Sequence, residues 1–211
     1  MNNHVLKIGF WAGMAAFAAT LLFLIFQVLQ LYGVLTYPSD EILIYGSSLC
    51  IVIPFILEIL ALYYAVPASK RFWAHAAIVF TILYAVFVTA NYVVQLATVI
   101  PSTLKGNLGE VRILQQTPHS MFWDFDALGY IFMGIASLFT IPIFEKTGFQ
   151  KWVRYFMIAN AAVTPLITIV YFYPTYSYDL LMLGAPWGIT APGSMLMLSL
   201  WFKKRLYSRA T

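Results

Sequence analysis

The sequence predicts an all-α integral membrane protein, a bundle of six transmembrane helices with a kinked sixth helix. Of its 211 residues, 62% are hydrophobic and only 9% are charged, whereas a soluble domain carries about 25% charged residues. Several stretches without Asp, Glu, Lys or Arg exceed the roughly 20 residues that span a bilayer as a helix. The predicted helices cover residues 8–32, 42–66, 73–100, 125–144, 152–173 and 180–202.

Lysine and arginine collect on one side of the predicted bundle. With the N-terminus in the cytoplasm, only Lys105 and Arg112 of the twelve basic residues lie outside. The other basic residues are Lys7, Lys70, Arg71, Lys146, Lys151, Arg154, Lys203, Lys204, Arg205 and Arg209. This asymmetry predicts that both termini are cytoplasmic. Residues 101–123 then form an extracytoplasmic cap loop on a single transmembrane domain, residues 1–211.

The net charge of +4 indicates attraction to anionic membrane lipid, not binding to nucleic acid. Homo-oligomerisation stays open. The single cysteine, Cys50, excludes an intramolecular disulfide. No phosphate-binding glycine loop and no metal-type cysteine cluster occurs, so no cofactor is predicted. His119, Asp124 and Asp126 are the residue types that bind metals, but Asp124 also suits a helix N-cap, and no metal site is predicted.

The second predicted helix carries one charged residue in its apolar run, Glu58. Small and polar residues share its helical face, and such faces point toward neighbouring helices in membrane bundles. A carboxyl inside a membrane is costly and is a functional candidate by default. Glu58 and Asn160 lie at matching depths, so a hydrogen bond from Glu58 to Asn160, or to a carbonyl freed near Pro192, is expected. Removing the carboxyl is then expected to leave its partners unsatisfied.

The same helical spacing places other polar and aromatic side chains inside the bundle. Asn91 and Gln95 align on the third helix, and Asp126 heads the interior face of the fourth. The predicted ligand-binding residues are Asn91, Gln95, Glu58, Asn160, Trp187, Tyr171, Gln27 and Asp126. Hydrogen bonding between helices, and interfacial placement of the tyrosines, explain several of these positions equally well.

The sixth helix contains an irregular stretch, "LGAPWGITAPGS", with prolines at 186 and 192. Each proline removes a backbone donor and disturbs the preceding turn. The stretch therefore predicts a kink, and Trp187 beside it suggests the lining of a cavity. Close helix packing through Gly184 and Gly188 is the alternative, and the two are compatible.

The run "TANYVVQLATVIPSTLKGNL", followed by "PHSMFWDFDALGYIFMGIASLF", resembles a group of small six-helix membrane proteins of bacteria and archaea. The resemblance extends from Thr89 through the fourth helix. It implies the plasma membrane of a prokaryote and brings no established activity or site residue.

Three classes of function remain open. We favour a membrane protein that binds or senses a small, largely apolar or amphipathic ligand in a cavity within the bundle. The first alternative is an intramembrane enzyme, isomerase-like, with Glu58 as the catalytic acid or base on a lipid or isoprenoid. No histidine within the membrane accompanies Glu58, which weakens this alternative. The second is a small proton-coupled transporter.

Overall fold

The computed structural model describes residues 3–208 and shows only helices and their connections, with no strand in that range. Six helices among these residues are long and apolar enough to cross a membrane, which confirms the predicted fold class. They are α1 Asn3–Leu31, α2 Ser39–Ala65, α3 Arg71–Val94, α4 Met121–Thr140, α5 Gln150–Phe172 and α6 Trp187–Tyr207. Arg209, one of the predicted cytoplasmic cations, lies outside the described residues.

The six helices form a ring. Each packs against its neighbours in the sequence, and α6 closes the ring against α1. Buried side chains from all six fill the interior as one apolar cluster. Because consecutive helices are antiparallel, their connections alternate between two ends. We call the end with residues 32–38, 95–120 and 173–186 the loop end, and the end with residues 66–70 and 141–149 the terminal end.

The third and fourth helices differ in detail from the prediction. α3 continues through a π-helical turn, Gln95–Val99, and a short helix, Ile100–Leu104. α4 begins earlier than expected, because Ser120 is its N-cap and accepts a hydrogen bond from the Trp123 backbone at 3.1 Å. The expectation that Asp124 caps this helix is therefore wrong. Asp124 lies in the first turn, where the negative charge of a carboxylate interacts favourably with the helix dipole.

The sixth span is interrupted as its proline and glycine content predicts. A short helix, Tyr178–Leu181, and a 3₁₀ turn, Met182–Gly184, precede α6, and Pro186 occupies the N-cap position of α6. Ser177 starts the short helix by accepting from the Leu180 backbone at 3.1 Å. After this break α6 begins at Trp187, whose side chain is buried in the bundle interior.

The terminal end is held together by basic side chains. Arg205 donates to the carbonyl of Ala65 at 2.6 Å, which joins the end of α6 to the end of α2. Lys70 donates to the Ile143 carbonyl at 2.7 Å and forms an ion pair with Glu145. The hydrogen bond and charge of Lys70 lower the pKa of the Glu145 carboxyl from its ordinary value. These contacts link the ends of α2 and α6 and the two connections of the terminal end, which are far apart in the sequence.

Candidate functional site

Asp126 is the centre of the polar interior at the loop end. It lies in the second turn of α4, on the face that the sequence predicts to be inward, and only 5% of its surface is exposed. The hydroxyl of Tyr92 on α3 donates to its Oδ1 at 2.6 Å, and the hydroxyl of Tyr171 on α5 donates to its Oδ2. Asp126 therefore ties three helices together through two phenols.

Aromatic rings surround this carboxyl. Tyr45 stacks on Tyr92 at a centroid distance of 5.2 Å. The ring of Trp187 meets that of Tyr130 edge-on at 5.0 Å and that of Phe23 at 5.8 Å. Edge-to-face pairs of this kind add about 0.5–1.5 kcal/mol beyond the area that they bury. The arrangement gives the interior a rigid aromatic wall.

A small cavity lies between Asp126 and these rings. Its volume is about 20 Å³, which is room for about one water molecule. Side chains from five of the six long helices line it, among them Phe23, Ile51, Tyr84, Asp126, Tyr130 and Trp187. The cavity therefore depends on the arrangement of five helices and not on one pair.

A second, larger depression opens at the surface beside the cavity. It has a volume of about 490 Å³ and is lined by His119, Asp124, Leu128, Tyr171 and Phe172. Tyr171 lines the open depression, and its hydroxyl donates to Asp126, which lines the cavity. The Tyr171 side chain therefore connects the depression with the carboxyl in the cavity wall.

The loop end contains a chain of amides that ends at a second buried carboxyl. Gln27 donates to Gln30 at 2.9 Å, and Gln30 donates to Oδ2 of Asp40 at 2.8 Å. Asp40 is 8% exposed, and its other oxygen has no hydrogen-bond partner among residues 3–208. Gln27 therefore belongs to the series of hydrogen bonds that ends at Asp40, and it does not line the cavity.

Asn91 and Gln95 are fully buried, as the sequence predicts, and both contact the connection before α4. Asn91 donates to the side-chain oxygen of Gln116 at 2.9 Å. Gln95 donates to the carbonyl of Leu114 at 2.7 Å and accepts from the Gln116 backbone at 3.2 Å. The two side chains fasten the loop to α3, while Tyr92, beside Asn91, faces the cavity.

Glu58 lies deeper, toward the terminal end, and is completely buried. Neither of its carboxyl oxygens has a hydrogen-bond partner within the described chain. Its head lies against Gly13 of α1, where a Cβ atom would overlap Oε1 of Glu58 and would come within 2.7 Å of the Ser199 Cβ on α6. The Ser199 hydroxyl is no partner, since it donates to the Phe10 carbonyl at 2.8 Å.

The prediction of a hydrogen bond from Glu58 to Asn160, or to a carbonyl near Pro192, is wrong, because neither oxygen of Glu58 has a partner in the described chain. The side-chain amide nitrogen of Asn160 donates to the Ser137 hydroxyl at 2.9 Å, and its side-chain oxygen accepts from the Thr190 hydroxyl at 3.2 Å. Asn160 therefore joins α4, α5 and α6, whereas Glu58 faces α1 and α6. Matching depth did not make them neighbours, because the two helices present these residues to different partners.

The sequence reasoning missed Tyr92 as a partner of Asp126. The signal was present in the spacing of α3, since Tyr84, Val88, Asn91, Tyr92 and Gln95 follow the i, i+4, i+7, i+8, i+11 pattern of one helical face. All five are buried. Only the position of α4 relative to that face shows that Tyr92 reaches Asp126.

The fold and the site together define a multi-pass helical membrane protein with a small, aromatic-lined pocket beside a carboxyl group. Among residues 3–208 no group of three or more His, Cys, Asp or Glu side chains is arranged to hold a metal ion. Comparison of the chain with protein-family models, with curated proteins and with solved structures found no match.

Proposed function

We propose that this protein binds a small, largely apolar ligand inside the bundle at the loop end. The observation that carries the proposal is the cavity beside Asp126, with an aromatic wall and a few polar groups, among them Asp126 and Ser48. Ligand sites are commonly concave and apolar with a few precisely placed polar groups. The proposal includes insertion in the plasma membrane of a prokaryote with cytoplasmic termini, which places the loop end outside the cell.

The open depression next to the cavity supports an entry route. The cavity of about 20 Å³ holds only the polar end of a ligand. Rotation of Tyr171 would join it to the depression of about 490 Å³, whose size is within the range of small-molecule sites. The apolar part of the ligand would then extend past Tyr171 toward Leu128 and Phe172.

The test uses two matched substitutions on α2. Ile51 lines the cavity and is 3% exposed, whereas Ile53 is 63% exposed on the outer surface of the bundle. Ile51→Phe fills the cavity, and Ile53→Phe adds the same ring outside it. Small molecules that remain bound after purification in mild detergent are extracted and identified by mass spectrometry. Circular dichroism and size-exclusion chromatography establish that both variants are folded.

We expect a small molecule on the wild-type protein and on Ile53→Phe, and its loss from Ile51→Phe. Ligand retained by a folded Ile51→Phe protein would show that the cavity is not the site. The absence of any bound molecule from the wild-type protein, with no gain in thermal stability from added membrane extract, would reject the proposal.

Proton-coupled transport is a second candidate, which the partnerless carboxyl of Glu58 favours. The buried carboxyls Asp126 and Glu58 lie in the interior of the bundle, and neither forms an ion pair with a residue of the described chain. In sealed vesicles with an internal pH dye, a transporter would admit protons when membrane extract is added. Glu58→Gln, which keeps the size of the side chain, should abolish that signal; unchanged proton entry would exclude Glu58 as the coupling residue.

A further inference from the structure

We infer that the cavity at Asp126 receives a primary ammonium group, so that the ligand is a small alkylamine with an apolar tail. This inference rests on the proposed function, because it names the chemistry of the ligand for the same cavity. Four observations support it: the charges at the loop end, the balance of hydrogen-bond donors and acceptors, the aromatic wall and the size of the cavity.

The charges in the loop-end interior are all acidic. Asp40 and Glu41 lie in the first turn of α2 and Asp126 in the second turn of α4, so all three carboxyls belong to the loop end. The ion pair described within residues 3–208 is at the opposite end of the bundle, between Lys70 and Glu145. No lysine or arginine of the described chain forms an ion pair with any of the three loop-end carboxyls. A cationic occupant would supply the missing charge, and an anionic one would be repelled.

The oxygen acceptors in the loop-end interior also outnumber the hydrogen-bond donors that reach them. The donors to Asp126 are all neutral: the hydroxyls of Tyr92 and Tyr171 and the side-chain amide of Gln116. An ionised carboxylate has about four lone-pair sites, so Asp126 can accept further bonds. Elsewhere at the loop end, Oδ1 of Asp40 and Oδ1 of Asn91 are buried acceptors without a partner in the described chain, but neither residue lines the cavity. An ammonium group carries three N–H donors and no acceptor, which suits the carboxyl of Asp126 in the cavity wall.

The aromatic wall suits a cation as well as an apolar chain. The rings of Tyr84, Tyr130, Trp187 and Phe23 all line the cavity. A cation within about 6 Å of a ring centroid is attracted by the negative face of the ring, and the attraction is stronger where water is excluded. A neutral hydroxyl group gains nothing comparable from these faces.

The volume selects among cations. A primary ammonium head is close to the size of the one water molecule that the cavity of about 20 Å³ can hold. A trimethylammonium head is several times larger and would have to displace buried rings. The open depression contributes another carboxylate, Asp124, on the approach to Tyr171, which favours the entry of a cation.

Three probes with the same six-carbon tail test the inference: hexylamine, hexan-1-ol and hexyltrimethylammonium. Their affinities for the intact protein in neutral maltoside detergent are measured by isothermal titration calorimetry at pH 7. Titration into protein-free micelles corrects for partitioning, and Ile51→Phe reports binding outside the cavity.

We expect hexylamine to bind at least about tenfold more tightly than hexan-1-ol, as a desolvated cation–π and carboxylate contact predicts. Hexyltrimethylammonium should bind more weakly than hexylamine. Asp126→Asn keeps the size of the side chain and should reduce the amine affinity about tenfold or more while leaving that of the alcohol within about threefold. The comparison of amine with alcohol needs no variant, so the inference stays testable if Asp126→Asn does not fold.

Equal affinities of hexylamine and hexan-1-ol, both lost in Ile51→Phe, would overturn the ammonium inference and leave the proposed function standing. Tighter binding of hexyltrimethylammonium than of hexylamine would also overturn it. If no probe binds in the cavity, and Ile51→Phe retains the same extracted molecules as the wild-type protein, the proposed function falls as well.

Discussion

Replacing Glu58 by methionine should stabilise the protein. The Glu58 side chain is completely buried, and neither oxygen has a partner in the described chain. A buried polar group without a hydrogen bond costs about 1–3 kcal/mol in protein mutational data. Methionine has a similar length and adapts to irregular spaces. We therefore expect the free energy of unfolding to rise by about 1–3 kcal/mol, measured by reversible unfolding in mixed detergent micelles with circular dichroism.

Asp126→Leu provides the matched contrast, because Asp126 is a buried carboxyl with partners. Removing it leaves the hydroxyls of Tyr92 and Tyr171 without their acceptor. Each unsatisfied group costs about 1–3 kcal/mol, so this variant should be destabilised. The expectation from sequence that removing Glu58 also leaves partners unsatisfied is wrong in this structure, since no described residue hydrogen-bonds to it.

A loss of more than about 1 kcal/mol in Glu58→Met would refute this reasoning, because it would mean that the carboxyl makes a stabilising contact. A gain in stability together with loss of ligand or proton transport would mark Glu58 as a group kept for function at a cost in stability.

Two further predictions concern topology and packing. Cysteine at Asn107 should react with impermeant thiol reagents in intact cells and cysteine at Ser69 should not; the reverse pattern would overturn the charge argument. Gly129→Ala places a Cβ about 2.6 Å from Cγ2 of Val88 and should cost about 1–3 kcal/mol by overpacking. Val88→Ala added to it should recover part of that loss in thermal unfolding, whereas Gly46→Ala, with open space around its Cβ, should not destabilise α2; additive losses would contradict the contact.

The inward faces of the helices could be read from the sequence. Glu58, Asn91, Gln95, Asp126 and Asn160 were assigned to the interior by helical spacing, and each is at most 5% exposed. This succeeded because lipid favours bulky apolar side chains and helix contacts accept small and polar ones, so the two kinds of face differ in composition. Their role in ligand binding stays a prediction.

The choice of partners could not be read in the same way. Spacing along a helix indicates which side of the helix faces inward, but not which residue of another helix lies opposite. Glu58 therefore contacts Gly13 and not Asn160. Gln95, which was predicted to share a ligand site with Trp187, instead hydrogen-bonds to the connection before α4.

The sequence by itself determined that this chain forms six apolar helices with a broken sixth one, because the lengths of uncharged runs and the positions of prolines are local properties. Only the tertiary structure decided that the helices close into a ring and that Tyr92 and Tyr171 converge on Asp126. That convergence depends on the rotation and depth of three helices at once. These are set by the close packing of side chains between helices, and no periodicity within one segment specifies them.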